Sequence, residues 1–434
     1  MTDSAHIQIH HVARVEGHGD ITVRIHKGVL EEVQFAVVEA PRFFEAFLRG
    51  RDYQEVTHLA SRICGICAVS HRGAALKATE AAFGTKISDQ SFLLRRLAFH
   101  GEVLSSHILH IYFLAAPDYL GVPSLLHLAE KDRDTVLRAM RLKQTAYDLC
   151  QWVVGRHTHP VAMNVGGFPF VHDAKSLGPL RERLEKSMTD IRDTVSLFNT
   201  FSMPEFERET EYVSLSHPEH YALYDGNVVS SDGQRISPDQ YRAFIEEYLV
   251  SYSTAKYARF NRPEYMVGAL ARVNNNFEHL SPFAQEVADL AALRAPCFNP
   301  FMNTTAQIVE CAHCLEESVQ IIDQLVERDI RAEEEQAEVI PRAGRGVGAV
   351  EAPRGILFHE YAYDVNGACT SANLVIPTAQ NLGNLEADMR AYAPGIVYQD
   401  EKAIAHALEM LVRAYDPCIS CSTHVIKTTG SIPS

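Results

Sequence analysis

Two stretches near opposite ends of the 434-residue chain carry the residues best suited to chemistry. The first reads Arg62-Ile63-Cys64-Gly65-Ile66-Cys67-Ala68-Val69-Ser70-His71, the second Asp416-Pro417-Cys418-Ile419-Ser420-Cys421-Ser422-Thr423-His424. Each is a Cys-x-x-Cys pair followed by a histidine. Folding that joins them assembles four thiolates and two imidazoles, soft donors for transition metals. A catalytic or redox metal, a structural zinc closed by four sulfurs, and a disulfide are all open on this pattern. Structural zinc sites usually staple small domains through pairs tens of residues apart, and a chain this long needs no such staple to fold, so the spacing favours a working metal.

Other residues need context before they mean anything. Glu16 lies in Arg14-Val15-Glu16-Gly17-His18-Gly19, where the glycines permit a tight turn, but a glutamate in a turn is ordinarily solvated surface. Glu45 shares a helical turn with Phe43, Phe44, Phe47 and Leu48, so it risks burial unless it is paired or bound to a metal. Arg354, between a proline and a glycine in Glu351-Ala352-Pro353-Arg354-Gly355, reads alone as a surface turn residue. Two further patterns mislead. Cys311-Ala312-His313-Cys314 sits in a helical run whose stripe of Ile308, Cys311, Leu315, Val319 and Ile322 reads as core. Gly344-Arg345-Gly346-Val347-Gly348 looks like a nucleotide loop in composition only. It follows an acidic helix and lacks dinucleotide or Walker spacing, so the chain itself is expected to bind neither NAD nor ATP.

The elements that must position these residues are mostly helical. Alternation over Ile21–Ile25 and Val33–Val38 predicts a small antiparallel sheet within about residues 6–38. Helical periodicity follows from Cys64 to about Ala82 and over 91–116, 124–156, 178–199, 238–258, 279–294, 304–338 and 400–415. Strand-like segments surround Ile356 and Val375. The expected fold is α+β, a central helical bundle with small antiparallel sheets. At 46% hydrophobic and 22% charged residues, the chain has ample material for a core. No apolar run is long enough to span a bilayer, and 40 basic against 55 acidic residues make nucleic acid or an anionic membrane a poor partner. Nine cysteines, an odd number, with five scattered through core-like stretches, fit a reducing compartment. With no signal-peptide plan at the N-terminus, the expected location is the cytoplasm.

Taken in order, Arg14–His18, Arg62–Cys67 with His71, Glu351–Gly355, and Asp416–Cys421 with His424 resemble the large subunit of nickel-iron hydrogenases over the whole length. Pro41–Glu45, Ala116-Pro117-Asp118-Tyr119 and the short chain resemble the cytoplasmic bidirectional branch, the NADP-linked sulfhydrogenases. The resemblance implies that Cys64 and Cys418 are terminal ligands of nickel, and that Cys67 and Cys421 bridge to an iron carrying carbon monoxide and cyanide. It implies that Arg354 faces the open side of the metals, paired with Asp416 and Asp118, while Thr378 offers a second donor to a cyanide and His71 bonds the sulfur of Cys67. Protons from H2 would pass from Cys418 to Glu16. A Mg2+ would take Glu45, His424 and the carbonyl of Leu374.

Two electrons from H2 must leave one at a time, and the five remaining cysteines form no plausible cluster set. An iron-sulfur small subunit is therefore expected, with flavin-bearing subunits passing electrons to NADP or NAD. The resemblance also implies that residues 1–424 form one catalytic unit. Val425–Ser434 would be an extension removed by a maturation endopeptidase after His424. Two other readings stand beside this one: a non-catalytic scaffold of the respiratory complex I kind, and a structural zinc protein.

Overall fold

The structure, a computed structural model, describes residues 4–27, 29–170, 172–328, 330 and 336–423. It opens on the expected sheet, in which β1 (Ser4–Ile9), β2 (Gly19–His26) and β3 (Val29–Val37) run antiparallel in that order. Ile21, Val23 and Ile25 face inward along β2, so the sequence alternation is the burial pattern itself. Next come α1 (Phe44–Phe47), a single turn, and α2 (Tyr53–Ala60), whose N-cap Asp52 accepts the Gln54 N–H.

The Ala-rich run forms α3 (Ala68–Phe83), which starts at Cys67 and stops at Gly84 in the left-handed region (φ 69°). Every residue of α3 except Lys77 and Ala81 is buried, the mark of a helix enclosed on all sides. Then α4 (Asp89–Ile108) runs through a π-helical turn, Leu109–Ala115, into α5 (Ala116–Leu120). α6 (Arg133–Val154) and α7 (Gly178–Phe198) complete one side of the bundle.

The middle of the chain departs from the helical expectation. A sheet of order β6-β5-β4-β9 is built from β4 (Glu211–Ser216), β5 (Asn227–Ser230), β6 (Arg235–Ile236) and β9 (Tyr265–Met266). Residues 238–258, expected as helix, form a 3-10 turn and then a hairpin of β7 (Glu246–Leu249) and β8 (Lys256–Arg259). The physical reason is the cross-strand pairing of Tyr248 with Tyr257, which a helical period cannot make. α8 (Ala269–Asn276), α9 (Pro282–Leu290) and the long buried α10 (Asn303–Glu327) return to the bundle, where α10 packs against α4 and α7.

β10 (Gly344–Ala352), β11 (Gly355–Tyr363) and β12 (Cys369–Val375) form an antiparallel sheet lying on α3. The glycine-rich stretch is thus part of a strand. Its alternate glycines touch helix main chain: a Cβ on Gly344, Gly346 or Gly348 would lie 2.6, 2.1 and 2.1 Å from the carbonyl oxygens of Ala82, Ala78 and Ala74. α11 (Pro377–Tyr392), α12 (Glu401–Ala414, capped by Asp400) and the short α13 (Ile419–Ser422) carry the chain back to α3. No described helix is long and apolar enough to cross a membrane.

Candidate metal centre

Both cysteine pairs sit at helix starts. Cys67 caps α3 and Cys418 caps α13. The N–H groups of Ile66 and Cys67 point at Cys64 Sγ, at 3.3 and 3.4 Å. Across the chain, the Cys64 and Cys418 sulfurs are 3.4 Å apart, those of Cys67 and Cys421 3.9 Å, and those of Cys418 and Cys421 2.8 Å. All four are buried and free of disulfides. The hydrogen bond from Cys418 holds the Cys64 thiol well below its usual range, while burial drives that of Cys421 well above it. Four buried thiols so close cannot all ionise without a cation among them, so the donor set fits a thiophilic metal. The sulfurs of Cys67, Cys418 and Cys421 border a cavity of about 10 Å3, roughly room for one water-sized molecule, lined also by Arg354, Thr378, His71, Leu357 and Ile376.

Arg354 is brought to this cavity by the turn between β10 and β11, and it is buried. Its Nε donates to the Asp416 carbonyl (2.7 Å) and to Asp416 Oδ1 (3.1 Å), Nη2 to the same Oδ1 (2.8 Å), and Nη1 to Ser106 Oγ (3.3 Å). Burial disfavours its charge, but Asp416 and the nearby thiolates outweigh burial and hold it firmly cationic. Asp416 is itself fixed by Gln307 Nε2 at 3.0 Å.

Asp118, expected beside Arg354, is elsewhere. Its carboxylate accepts from Arg14 and from Arg413, whose Nε and Nη2 lie 2.6 and 2.9 Å away. Two guanidiniums already fill its oxygens, and Arg413 stands three residues before Asp416, so Asp118 braces that segment at one remove.

The Glu16 main chain forms a bridge with Cys418, and its carbonyl accepts the Ile419 N–H at 2.9 Å. Its carboxylate is gripped by the Ser420 hydroxyl and by the Ser420 N–H at 3.1 Å. Thr378 Oγ1 accepts the Cys418 N–H at 2.9 Å. His71 lines the cavity, and its Nδ1 pairs with His359 Nε2 on the facing strand at 3.0 Å; among the described residues no hydrogen bond joins its ring to the Cys67 sulfur. Burial pushes the His71 imidazole down to about 4, which leaves it neutral. Glu45 is buried, accepting the Leu374 N–H at 3.0 Å and facing Lys256 Nζ at 3.2 Å. His424 lies outside the described residues, as do 425–434.

Sequence reasoning missed several supports of this site: Ser106 and Gln307, which hold Arg354 and Asp416, His359 behind His71, and a buried group of Arg272, Glu310 and His107. The one available signal for that group was an arginine amid Ala269-Leu270-Ala271 and a glutamate inside the apolar run of α10.

A family model described as nickel-dependent hydrogenase matches residues 42–137 and 210–424. Sulfhydrogenase 1 subunit alpha of Pyrococcus furiosus is 32% identical, covering 97% of this chain and 98% of its own length. NAD-reducing hydrogenase HoxS subunit beta of Cupriavidus necator is 26% identical, over 97% and 94%. A solved NAD+-reducing [NiFe]-hydrogenase in the H2-reduced state superposes with a TM-score of 0.88 at 27% identity, covering 97% of this chain and 99% of that one.

Proposed function

The chain belongs to the nickel-dependent hydrogenase family, as a large, catalytic subunit, and from that premise we propose that H2 is split reversibly where the four-cysteine cluster meets the cavity under Arg354. Bound there, nickel and an iron carrying carbon monoxide and cyanide supply Lewis acidity and redox chemistry. Cys64 and Cys418 would hold the nickel, and Cys67 and Cys421 would hold it together with the iron. Each H2 yields two protons and two electrons. Cys418 Sγ holds a proton first, and the Glu16 carboxylate passes it outward; the Glu16–Cys418 main-chain bridge and the Ser420 grip on that carboxylate support this order. Arg354 keeps a fixed charge on the cavity, positioned by Asp416, and Asp118 steadies the segment that carries Asp416. Thr378, its oxygen engaged by Cys418, retains a hydroxyl hydrogen to donate, and His71 stands as a neutral wall. Ala352, Leu357, Ile376 and Pro377 keep water out.

A magnesium site at Glu45, the Leu374 carbonyl and His424 is supported by surplus buried negative charge. Glu45 and Glu247 share Lys256, and Glu247 Oε1 is buried without a hydrogen-bond partner among the described residues. The electrons need partner subunits. Cys311 and Cys314 are enclosed in α10, while Cys150, Cys297 and Cys369 come from separate elements, so an iron-sulfur small subunit takes the electrons and flavin subunits pass them to NADP or NAD. Residues 1–424 act as one catalytic unit in the cytoplasm, a setting supported by nine free cysteines, and a maturation endopeptidase cuts between His424 and Val425.

The observation that carries this reading is the meeting, 354 positions apart in the chain, of two cysteine pairs under one buried arginine. Metal analysis with infrared spectroscopy of the purified complex tests it. Nickel and iron together, with bands from bound carbon monoxide and cyanide, are expected; zinc alone, or no metal, would overturn the reading.

A further inference from the structure

Behind Arg354 lies a buried ion cluster that the chemistry above leaves unused. Arg272 on α8 is fully enclosed, and so are the two carboxylates that face it, Glu310 and Glu351. A guanidinium carries five N–H donors, and every one of these is spent. Nε and Nη2 take the two oxygens of Glu310 at 2.6 Å each, and Nη1 takes Glu351 Oε2 at 3.0 Å. The last two reach main-chain carbonyls, Ala352 at 3.0 Å and Pro353 at 2.9 Å.

Those carbonyls belong to the two residues before Arg354, in the tight turn where Ala352 pairs with Gly355. Deep inside the protein they need donors, and the rigid fork that supplies them fixes the plane of both peptides and so the direction in which Arg354 leaves the backbone. The start of α8 presses on the same turn. A side chain on Gly355 would meet Val267 Cγ2 at 2.4 Å and the Gly268 nitrogen at 2.9 Å, and one on Gly268 would meet the Arg354 carbonyl at 3.2 Å. The cluster is anchored in turn: Glu310 also accepts from Tyr221 Oη (2.6 Å) and pairs with His107 Nε2 (2.7 Å), and Glu351 Oε1 accepts the Leu215 N–H (2.6 Å). Stability alone does not account for such a group, because well-packed apolar residues commonly replace buried ion clusters at no loss.

We propose that Arg272 is a positioning residue for H2 cleavage: by holding the carbonyls of Ala352 and Pro353 it aims the Arg354 guanidinium at the cysteine cavity. A lysine in its place keeps the charge for Glu310 and Glu351 but cannot reach four acceptor groups at once, and the turn relaxes. Misplacing a catalytic group by about 1 Å costs on the order of a hundredfold in rate.

The inference rests on the role given to Arg354, and the two fail differently. The test uses the metal-loaded complex, with activity expressed per nickel bound, in Arg272→Lys, Arg354→Lys and the double variant, together with hydrogen-deuterium exchange of the 351–356 segment. The expected result is a loss of about a hundredfold in Arg272→Lys, faster exchange of the turn, and no more than about a twofold further loss when Arg272→Lys is added to Arg354→Lys, since a residue acting only through Arg354 has nothing left to position. Full activity per nickel in Arg272→Lys, or a loss that multiplies in the double variant, overturns it. If Arg354→Lys retains full activity, the role of Arg354 itself falls, while turn exchange still reports whether Arg272 holds the loop. Should Arg272→Lys not fold, Glu351→Gln decides by the same measures: a severalfold loss with faster turn exchange supports the inference, and unchanged values overturn it.

Discussion

Two regions of this molecule hold paired cysteines beside a histidine, and only one of them is built for a metal. Cys67 and Cys418 stand at helix starts, the N–H groups of Ile66 and Cys67 face the Cys64 sulfur, the four sulfurs gather in one place, and Cys67, Cys418 and Cys421 line a cavity. Cys311 and Cys314 stand in mid-helix on α10, fully buried. There every main-chain N–H is spent on the helix, and burial drives both thiols well above their ordinary range. The comparison teaches that spacing brings two sulfurs near each other, whereas the place of the pair in its element decides whether a second pair and a cavity can meet them.

The most severe way to probe this contrast is to remove a ligand. Cys418→Ser should lose nickel and all measurable hydrogenase activity, and retention of both would end the assignment of that cavity. Next in size, Arg354→Lys should leave the metals in place and cost about 2.7–4 kcal/mol of barrier, on the order of a hundred- to a thousandfold in H2 uptake. Glu16→Gln should slow net H2 oxidation by about a hundredfold while the cluster persists, and rapid deuterium exchange into water by this variant would remove Glu16 as the outlet. The helix-buried pair should behave in the opposite way. Cys311→Ala with Cys314→Ala should keep metal content and activity and cost about 1 kcal/mol of stability each, whereas a loss of nickel would erase the distinction between the regions.

The smallest effect lies beside that pair, where the ionic chemistry of α10 resides in Glu310. Burial holds its partner His107 below the ordinary 6.5, against the pull of Glu310. The unfolded chain therefore takes up that proton before the folded one does, and the contribution of His107 to stability is full above pH 6.5 and declines as pH falls through and below it. His107→Gln should flatten this part of the acid dependence of thermal unfolding, and an unchanged slope would show that His107 does not set it.

Much of the site was legible because its chemistry is local. The cysteine pairs sit in short runs whose residue types need no partner to be noticed, whereas Arg354 and Glu16 read alone as surface residues and gained a role only through the resemblance of the whole set of motifs; the N-terminal sheet announced itself by alternation. Asp118 was misread because the arginines that claim it come from 104 and 295 positions away. Residues 238–258 were misread because tyrosine and glutamate fit either period, and only cross-strand contact selects the hairpin. Arg272 escaped notice for the same reason: the cost and the purpose of a buried charge exist only in the assembled fold.

The glycines of β10 give the molecule a fulcrum. α3 carries the first cysteine pair and β10 leads into the turn that carries Arg354, so the two are like the blades of scissors, crossing where Gly344, Gly346 and Gly348 lie on the carbonyls of Ala82, Ala78 and Ala74. From Ala74 back to Cys67 is about 10 Å along the helix. A single methyl on Gly348, starting 2.1 Å from the Ala74 oxygen, would force the blades apart and widen the gap between sulfur and guanidinium without touching either. The gap between the sulfurs and the guanidinium is gauged by atoms that are missing, at a distance from the pocket itself.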